Sequence, residues 1–583
     1  MKKLSILTIA AFLLAILVSF TRSSYITKPA VVNYSAAIKY RTAIPCSPTA
    51  WLLTDSSMPT VPALTGWGNY SWKLGTKSDS ARFYFNQGIN MYYGFHIIES
   101  LASFQKSAQF DPGFALAYWG QALAYGPNIN DAGYYIENPK AWPAIQKAVS
   151  LLNNNSNAKE KALINAQVKH FSPDSTAIRG NLNKAYAAEM KSLSQQFADD
   201  PDVASLYVDA LMNLHPWDLY DHSGNPQAWT PEITRLLEKI LKKYPSHPAA
   251  IHYYIHAVEA SNDPGRALPY ADKLGSLMPD VAHMVHMPSH IYIRTGMYEK
   301  GIRSNEEAVK AFGKYVSLFP PSEGNAPLYF MHNVDMQAMS ALMAGHYNDA
   351  STLSVSLQES LKTVMPMMEI PGGLGVYVQF LYAQPYLNLV RFGKWDEILA
   401  TPAVDEKYTH ANALWHFARG MAFVHKADAT NANLELLAVN QKIADPLMKE
   451  RYGPFNSGEG AAMVASKILE GEITLLQGDK VEGIKDLELA VDLEMALNYN
   501  EPADWRIPAR HYLGAALLKK GDAAGAQKVY LADLNLNPGN IWSIKGLELS
   551  LAAQKKTAAA ANVEKKFKEL SEKADTDINS SAF

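Results

Sequence analysis

At 583 residues, 48% apolar and 19% charged, the chain has the composition of a folded globular protein, long enough for several domains or one repeat array. A net charge of −3 gives no electrostatic footprint for nucleic acid or an anionic membrane surface. The single cysteine, Cys46, excludes an intramolecular disulfide and zinc-finger chemistry, and reads as an incidental thiol.

Lys2 and Lys3 precede a nearly unbroken apolar stretch from Leu4 to Phe20, the layout of an export signal. Residues 1–23 therefore read as a signal peptide or an N-terminal anchor, ~17 apolar residues being the short limit for a span. The bulk of the chain is expected in the periplasm or cell envelope. No later segment approaches ~18 consecutive apolar residues. Residues 24–78 are rich in Pro, Ser and Thr, lack a helical period and are expected as an extended lead-in.

From Ala81 onward the pattern becomes paired amphipathic helices with a fixed period. Tyr84, Gly88, Phe104 and Pro112 fall at positions 4, 8, 24 and 32 of a 34-residue unit. Leu513-Gly514, Ala526, Tyr530 and Pro538 repeat that spacing at positions 7, 8, 20, 24 and 32 of a late unit, and Pro245 and Pro279 end two second helices 34 residues apart. This spacing matches the tetratricopeptide repeat, and the fold predicted is an all-α solenoid (superhelix) of such helical hairpins, with irregular repeats, over 79–553. The stretches Pro216–Trp229, Phe319–Asn325 and Asn456–Gly460 interrupt the period and read as loops. A charged helix from Lys555 to Lys573 is expected to cap the array within 554–583, followed by a frayed tail.

The histidines are the most informative feature. In the unit starting at Pro248, His252 and His256 occupy positions 5 and 9; in the next, starting at Ala282, His283, His286 and His290 occupy positions 2, 5 and 9. Five of the sixteen histidines thus lie within 39 residues. The i, i+4 spacing puts each pair on one helical face, and the shift of one repeat places the pairs on successive first helices ~8–10 Å apart. Glu259 is at position 12, Arg294 at 13, His332 and Asp335 at 2 and 5 of the following unit, His416 and His511 at position 5 of later units, and His215 at 12 of an earlier one. In the tetratricopeptide superfamily that the chain resembles, positions 2, 5, 9, 12 and 13 line the concave groove.

Three readings stay open. Two His pairs can supply four ligands to a transition metal, zinc, copper or iron among them, with Met284 and Met287 as soft neighbours. Glu259 then orients an imidazole or acts as the catalytic general base on metal-bound water. Alternatively His, Tyr, Glu and Arg side chains recognise a peptide, protein or small ligand, the groove residues being His215, Arg294, His332, Asp335, His416 and His511. Third, neutral histidines bond one another and backbone carbonyls in a tightly wound array. Phosphate-loop, dinucleotide, His-Glu-x-x-His and serine-elbow motifs are absent from the sequence. The expected function is an exported binding scaffold with a His-rich groove, the alternative a metal-dependent enzyme. No nucleic-acid partner is expected, and membrane contact only through an N-terminal anchor.

Two loops bear on that groove. Gly126-Pro127-Asn128-Ile129-Asn130 reads as a turn setting a helix junction. Glu501-Pro502-Ala503-Asp504-Trp505 reads as a helix start with Asp504 as cap. If the superhelix closes, both reach the histidines. The segments Tyr118-Trp119-Gly120 with Gly126-Pro127-Asn128, His252 to Ala260, and His286 to Tyr292 together resemble a family of bacterial exported tetratricopeptide-repeat proteins with a histidine-rich core and no settled biochemical role. Relatives in that family carry a His where this chain has Asp335, which implies a mixed imidazole and carboxylate ligand set here, less suited to copper alone.

Overall fold

The computed structural model describes residues 61–583, apart from 132–134, 136–137, 154–155, 319–325, 363–367, 370–371 and 452–454. The expected export signal, most of the lead-in, Cys46 and the Phe319–Asn325 loop lie outside the described residues. Within them every named element is a helix, and no helix is long and apolar enough to cross a membrane. Among the described residues the chain is an all-α array of helical hairpins.

Small-to-aromatic contacts show why the period works. Helices Asp79–Tyr93 and Ile97–Phe110 form a hairpin, capped at its start by Ser78, whose side chain accepts from the Ala81 N–H. A Cβ on Gly88 would lie 2.7 Å from the Phe104 ring, and one on Gly120 in the next helix 2.5 Å from it. Gly514, Tyr530 and Gly546 repeat this arrangement, with the corresponding approaches at 2.4 and 2.3 Å. In each case two helices close on an aromatic side chain because their backbones carry no Cβ there. The second helices Thr230–Lys243 and Leu268–Leu277 stop just short of Pro245 and Pro279, as the proline positions require.

The array curls until its last hairpins meet its middle. The Trp542 indole N–H donates to the Leu342 carbonyl at 3.0 Å, and the Arg391 guanidinium to the Ser581 carbonyl at 2.7 Å. Helix Thr557–Leu570 lies on the outside with no buried residue, as a cap does. The tail is not frayed, contrary to the sequence expectation. Ile578, Ser581 and Ala582 are buried, and the Ser581 hydroxyl donates to the His511 carbonyl at 2.8 Å. Those partners lie on other repeats, so a local polarity pattern gives no sign of them. Residues 61–78 are likewise non-helical but docked: Leu64 N–H donates to Gln87 at 2.9 Å, and the Gly66 carbonyl accepts from Asp280 N–H at 3.0 Å.

Closure depends on a backbone contact. Gly296 has φ +75°, and a Cβ there would lie 2.0 Å from the Pro538 carbonyl oxygen. Gly296→Ala should therefore cost ~1–2 kcal/mol for the left-handed backbone alone and also prise the last hairpins from the middle units. Limited proteolysis should show new cleavage near 536–540; an unchanged digest and melting temperature would contradict this contact.

Candidate metal centre

Helix Pro248–Val258 begins on Pro248, with the His247 ring accepting from the Ala250 N–H as its cap, and all of its residues are buried. The next first helix runs as Ala282–His286 and Pro288–Arg294. Met287 between them keeps helical angles (φ −48°, ψ −38°), so the backbone stays helical up to Pro288, which carries no N–H. Both His pairs therefore keep their i, i+4 register on facing sides, and they meet: the His256 and His290 ring centroids are 6.0 Å apart.

Six imidazoles converge in two sets of three. His252, His256 and His283 form one, and His286, His290 and His332 the other; in each, one ligand atom per residue lies within 4.8 Å of the rest. All six side chains are buried, with His256 the most accessible at 5%. Burial, reinforced by repulsion from neighbouring imidazoles, holds His252, His283, His290 and His332 well below the ordinary histidine range. Burial brings His256 to about 3 and His286 to about 4. All six are neutral near pH 7, the form that binds metal.

The hydrogen bonds decide which nitrogen of each ring is bare. His252 Nδ1 lies 2.6 Å from the Tyr93 carbonyl oxygen, which can only accept, so Nδ1 carries the proton and Nε2 a lone pair. His286 Nδ1 lies 2.6 Å from Asn305 Oδ1, and Asn305 Nδ2 donates to the Gly301 carbonyl, which fixes the amide orientation. His286 Nε2 is therefore bare as well. Each bare nitrogen faces another imidazole: His252 Nε2 is 3.0 Å from His283 Nε2, and His286 Nε2 is 2.7 Å from His290 Nε2.

Glu259 spans the two sets. Its Oε1 is 2.9 Å from His256 Nδ1 and its Oε2 2.8 Å from His290 Nδ1, while Glu501 also contacts His290 Nδ1. Burial pushes the Glu259 carboxyl well up, with Arg294 pulling it back. Of these contacts His256 Nδ1 to Glu259 Oε1 has hydrogen-bond geometry, and the ring and the carboxyl share a proton there. His256 Nε2 and both nitrogens of His332 are buried with no hydrogen-bond partner. An orphaned buried acceptor costs ~1–3 kcal/mol unless an ion or water completes it.

Two aromatic residues against His256 hold left-handed backbone, uncommon for large side chains. Phe95 (φ 58°) stacks on His256 at 5.9 Å and packs on His252 at 4.4 Å, and Trp217 (φ 60°) meets His256 edge-on at 5.2 Å. Ile129 and His215 join Trp217 and His256 around a cavity of only about 10 Å³. On the other side, a cavity of about 210 Å³ opens from His222, Ser223 and Asn262 and has His290, Glu501 and Met336 in its wall. Both loops singled out in the sequence thus reach the histidine core.

The remaining sequence candidates divide. His332 joins the imidazole cluster, against His286 and His290, instead of an open groove. Arg294 is spent on backbone carbonyls of Glu259, Ser261 and Leu536. Asp335 does not join the imidazoles: its Oδ2 takes a 2.6 Å ion pair from buried Arg506, which removes the mixed ligand set the resemblance implied. His215 stacks on Trp229 at 3.6 Å, and His416 bonds Glu435 at 2.5 Å. His511 sits in a separate buried node with Arg391, Asp533 and Asn540. Asp504 is not a helix cap; it accepts from Asn456 and Asn500 at 2.5 and 2.7 Å, and the helix starting at Ala509 has no side-chain cap. Sequence reasoning missed Tyr93, Phe95 and Asn305, and gave Glu501 a place in a loop near the histidines but no contact of its own.

No protein-family model matches the chain, and no curated protein matches it. Among solved structures it is similar to the human IFIT1 dimer with m7Gppp-AAAA (12% identity over 85% of this chain and 91% of that one, TM-score 0.27). It is also similar to yeast Tom70 (12%, 85% and 93%, TM-score 0.26) and to Cut9 in the APC/C Cut9-Hcn1 hetero-tetramer (13%, 84% and 74%, TM-score 0.27). At those scores the likeness says nothing about site or partner.

Proposed function

We propose that the chain is a helical-repeat scaffold whose histidine core binds a transition metal, reached by small molecules through the cavity beside His290. The observation that carries this reading is the pair of bare Nε2 nitrogens, on His252 and His286, each held within hydrogen-bond distance of a second imidazole in a buried, neutral cluster. A set of imidazoles without thiolates suits zinc, copper, nickel or iron. Glu259 serves as the orienting carboxylate that metal-bound histidines recruit through their other nitrogen. An extended peptide cannot touch side chains this deeply buried, so the metal reading is preferred to a peptide groove. The basic-then-apolar start supports a location outside the cytoplasmic membrane; full-length chain found in the cytoplasmic fraction would refute it.

Melting temperature tests the metal reading. Chelated, untagged protein at about pH 7.5 is compared before and after adding zinc, copper, nickel or iron, a folded-state ligand at a hundredfold excess over Kd contributing ~2.7 kcal/mol. At least one ion should raise the melting temperature of the native chain and leave the His252→Ala, His286→Ala double variant unmoved. No shift of the native chain with any ion would end this reading.

A further inference from the structure

We propose that the core holds two ions, one in each set of three histidines, and that only the ion of His286, His290 and His332 exchanges readily with solvent. This rests on the metal reading above and goes beyond it in number and access.

The repeat itself writes the ligand set twice. In the unit starting at Pro248, positions 5 and 9 supply His252 and His256, and position 2 of the next unit supplies His283. One repeat later, positions 5 and 9 supply His286 and His290, and position 2 of the following unit supplies His332. The structure brings together these two triplets, each drawn from two successive first helices. A third copy would need histidines at 335 and 339. Asp335 and Met339 stand there, and Asp335 is taken by Arg506. The series therefore stops at two.

Six imidazoles also exceed what one ion of this kind uses, since a tetrahedral ion takes four ligands at ~2.0–2.1 Å. One ion would leave two of the six imidazoles uncoordinated. Two ions, each with three imidazoles and one remaining position, use all six. Glu259, with an oxygen on an Nδ1 of each set, orients one ligand of either ion.

Access differs between the sets. His252, His256 and His283 are enclosed by Phe95, which stacks on His256 and His283 and packs tilted on His252, and by Trp217; the space beside His256 amounts to about 10 Å³, no more than a single water. His290 instead lines the cavity of about 210 Å³ that opens at exposed His222 and Ser223. Closed and open sites are the usual division between structural and reactive metals.

The test loads chelated, untagged full-length protein with zinc, removes excess, measures zinc per chain by elemental analysis, and follows release to a colorimetric chelator. Two zinc ions per chain and two release phases of equal amplitude, separated at least tenfold in rate, are expected. His332→Ala should lose one ion and the fast phase, and His283→Ala one ion and the slow phase. His332→Gln and His283→Gln, checked for native helicity and elution volume, repeat the test should an alanine variant misfold. One ion per chain, lost in either variant, would overturn the two-ion proposal while leaving the metal reading intact. Two ions released in one phase would overturn the difference in access. No bound zinc, together with no thermal shift by any ion, would overturn the metal reading itself.

Discussion

Between pH 6.5 and pH 5 the metal-free protein should lose stability steeply. Among the described residues, burial holds nine imidazoles far below their ordinary range: His170, His252, His256, His283, His286, His290, His332, His410 and His425. Each stays neutral in the fold and takes up a proton on unfolding once the pH drops below ~6.5. Each therefore contributes stability that is intact above ~6.5 and is lost progressively below it. Buried carboxyls pull the other way. Asp209, Glu472 and Glu494 are pushed up to about 7, Asp504 to about 8, and Glu259 well above its ordinary range. These stay protonated in the fold and release protons on unfolding, which favours the fold as the pH falls toward ~4. The neutral imidazoles outnumber the protonated carboxyls, so on balance unfolding takes up protons near pH 5 and stability falls with pH there. Chemical denaturation midpoints at about pH 7, 6 and 5 should fall in that order. A midpoint that holds or rises toward pH 5 would mean that the carboxyls dominate and that the imidazoles are not held neutral.

Arg506→Met should destabilise by ~3–5 kcal/mol, because it leaves the fully buried Asp335 carboxylate without its partner. The same pair ties the helix carrying His332 to the loop carrying Glu501, so the loss should appear first at the cavity wall. Hydrogen exchange should rise across 494–506 and 331–340 before the rest of the array. The double variant Asp335→Asn, Arg506→Met should recover much of the stability, since it removes the stranded charge as well as the pair. If the single and double variants melt together, the ion pair is not what holds this junction.

The contrast between what the sequence revealed and what it concealed follows from chain distance. The 34-residue unit was legible because its glycines and aromatics repeat locally, and Gly88, Phe104 and Gly120 do meet as that spacing requires. The His pairs were legible because i, i+4 spacing fixes a shared face. His332 was seen at the right register position but read as groove lining, since its role depends on His286 and His290 one unit earlier. Glu501 lies 211 residues from His290 and reaches it only because the array closes. Tyr93 acts through its backbone carbonyl, which no side-chain pattern encodes. Asp504 looked like a cap by local rules, yet it is held by Asn456 and Asn500 across a closed loop.

Anomalous diffraction from crystals of untagged protein loaded with zinc or copper tests the central claim most directly, since it locates ions without inference from stability. The account predicts peaks inside the core at ~2.0–2.1 Å from bare Nε2 nitrogens, one among His252, His256 and His283 and one among His286, His290 and His332. A core without any peak, with ions only at exposed groups such as His222, would contradict it.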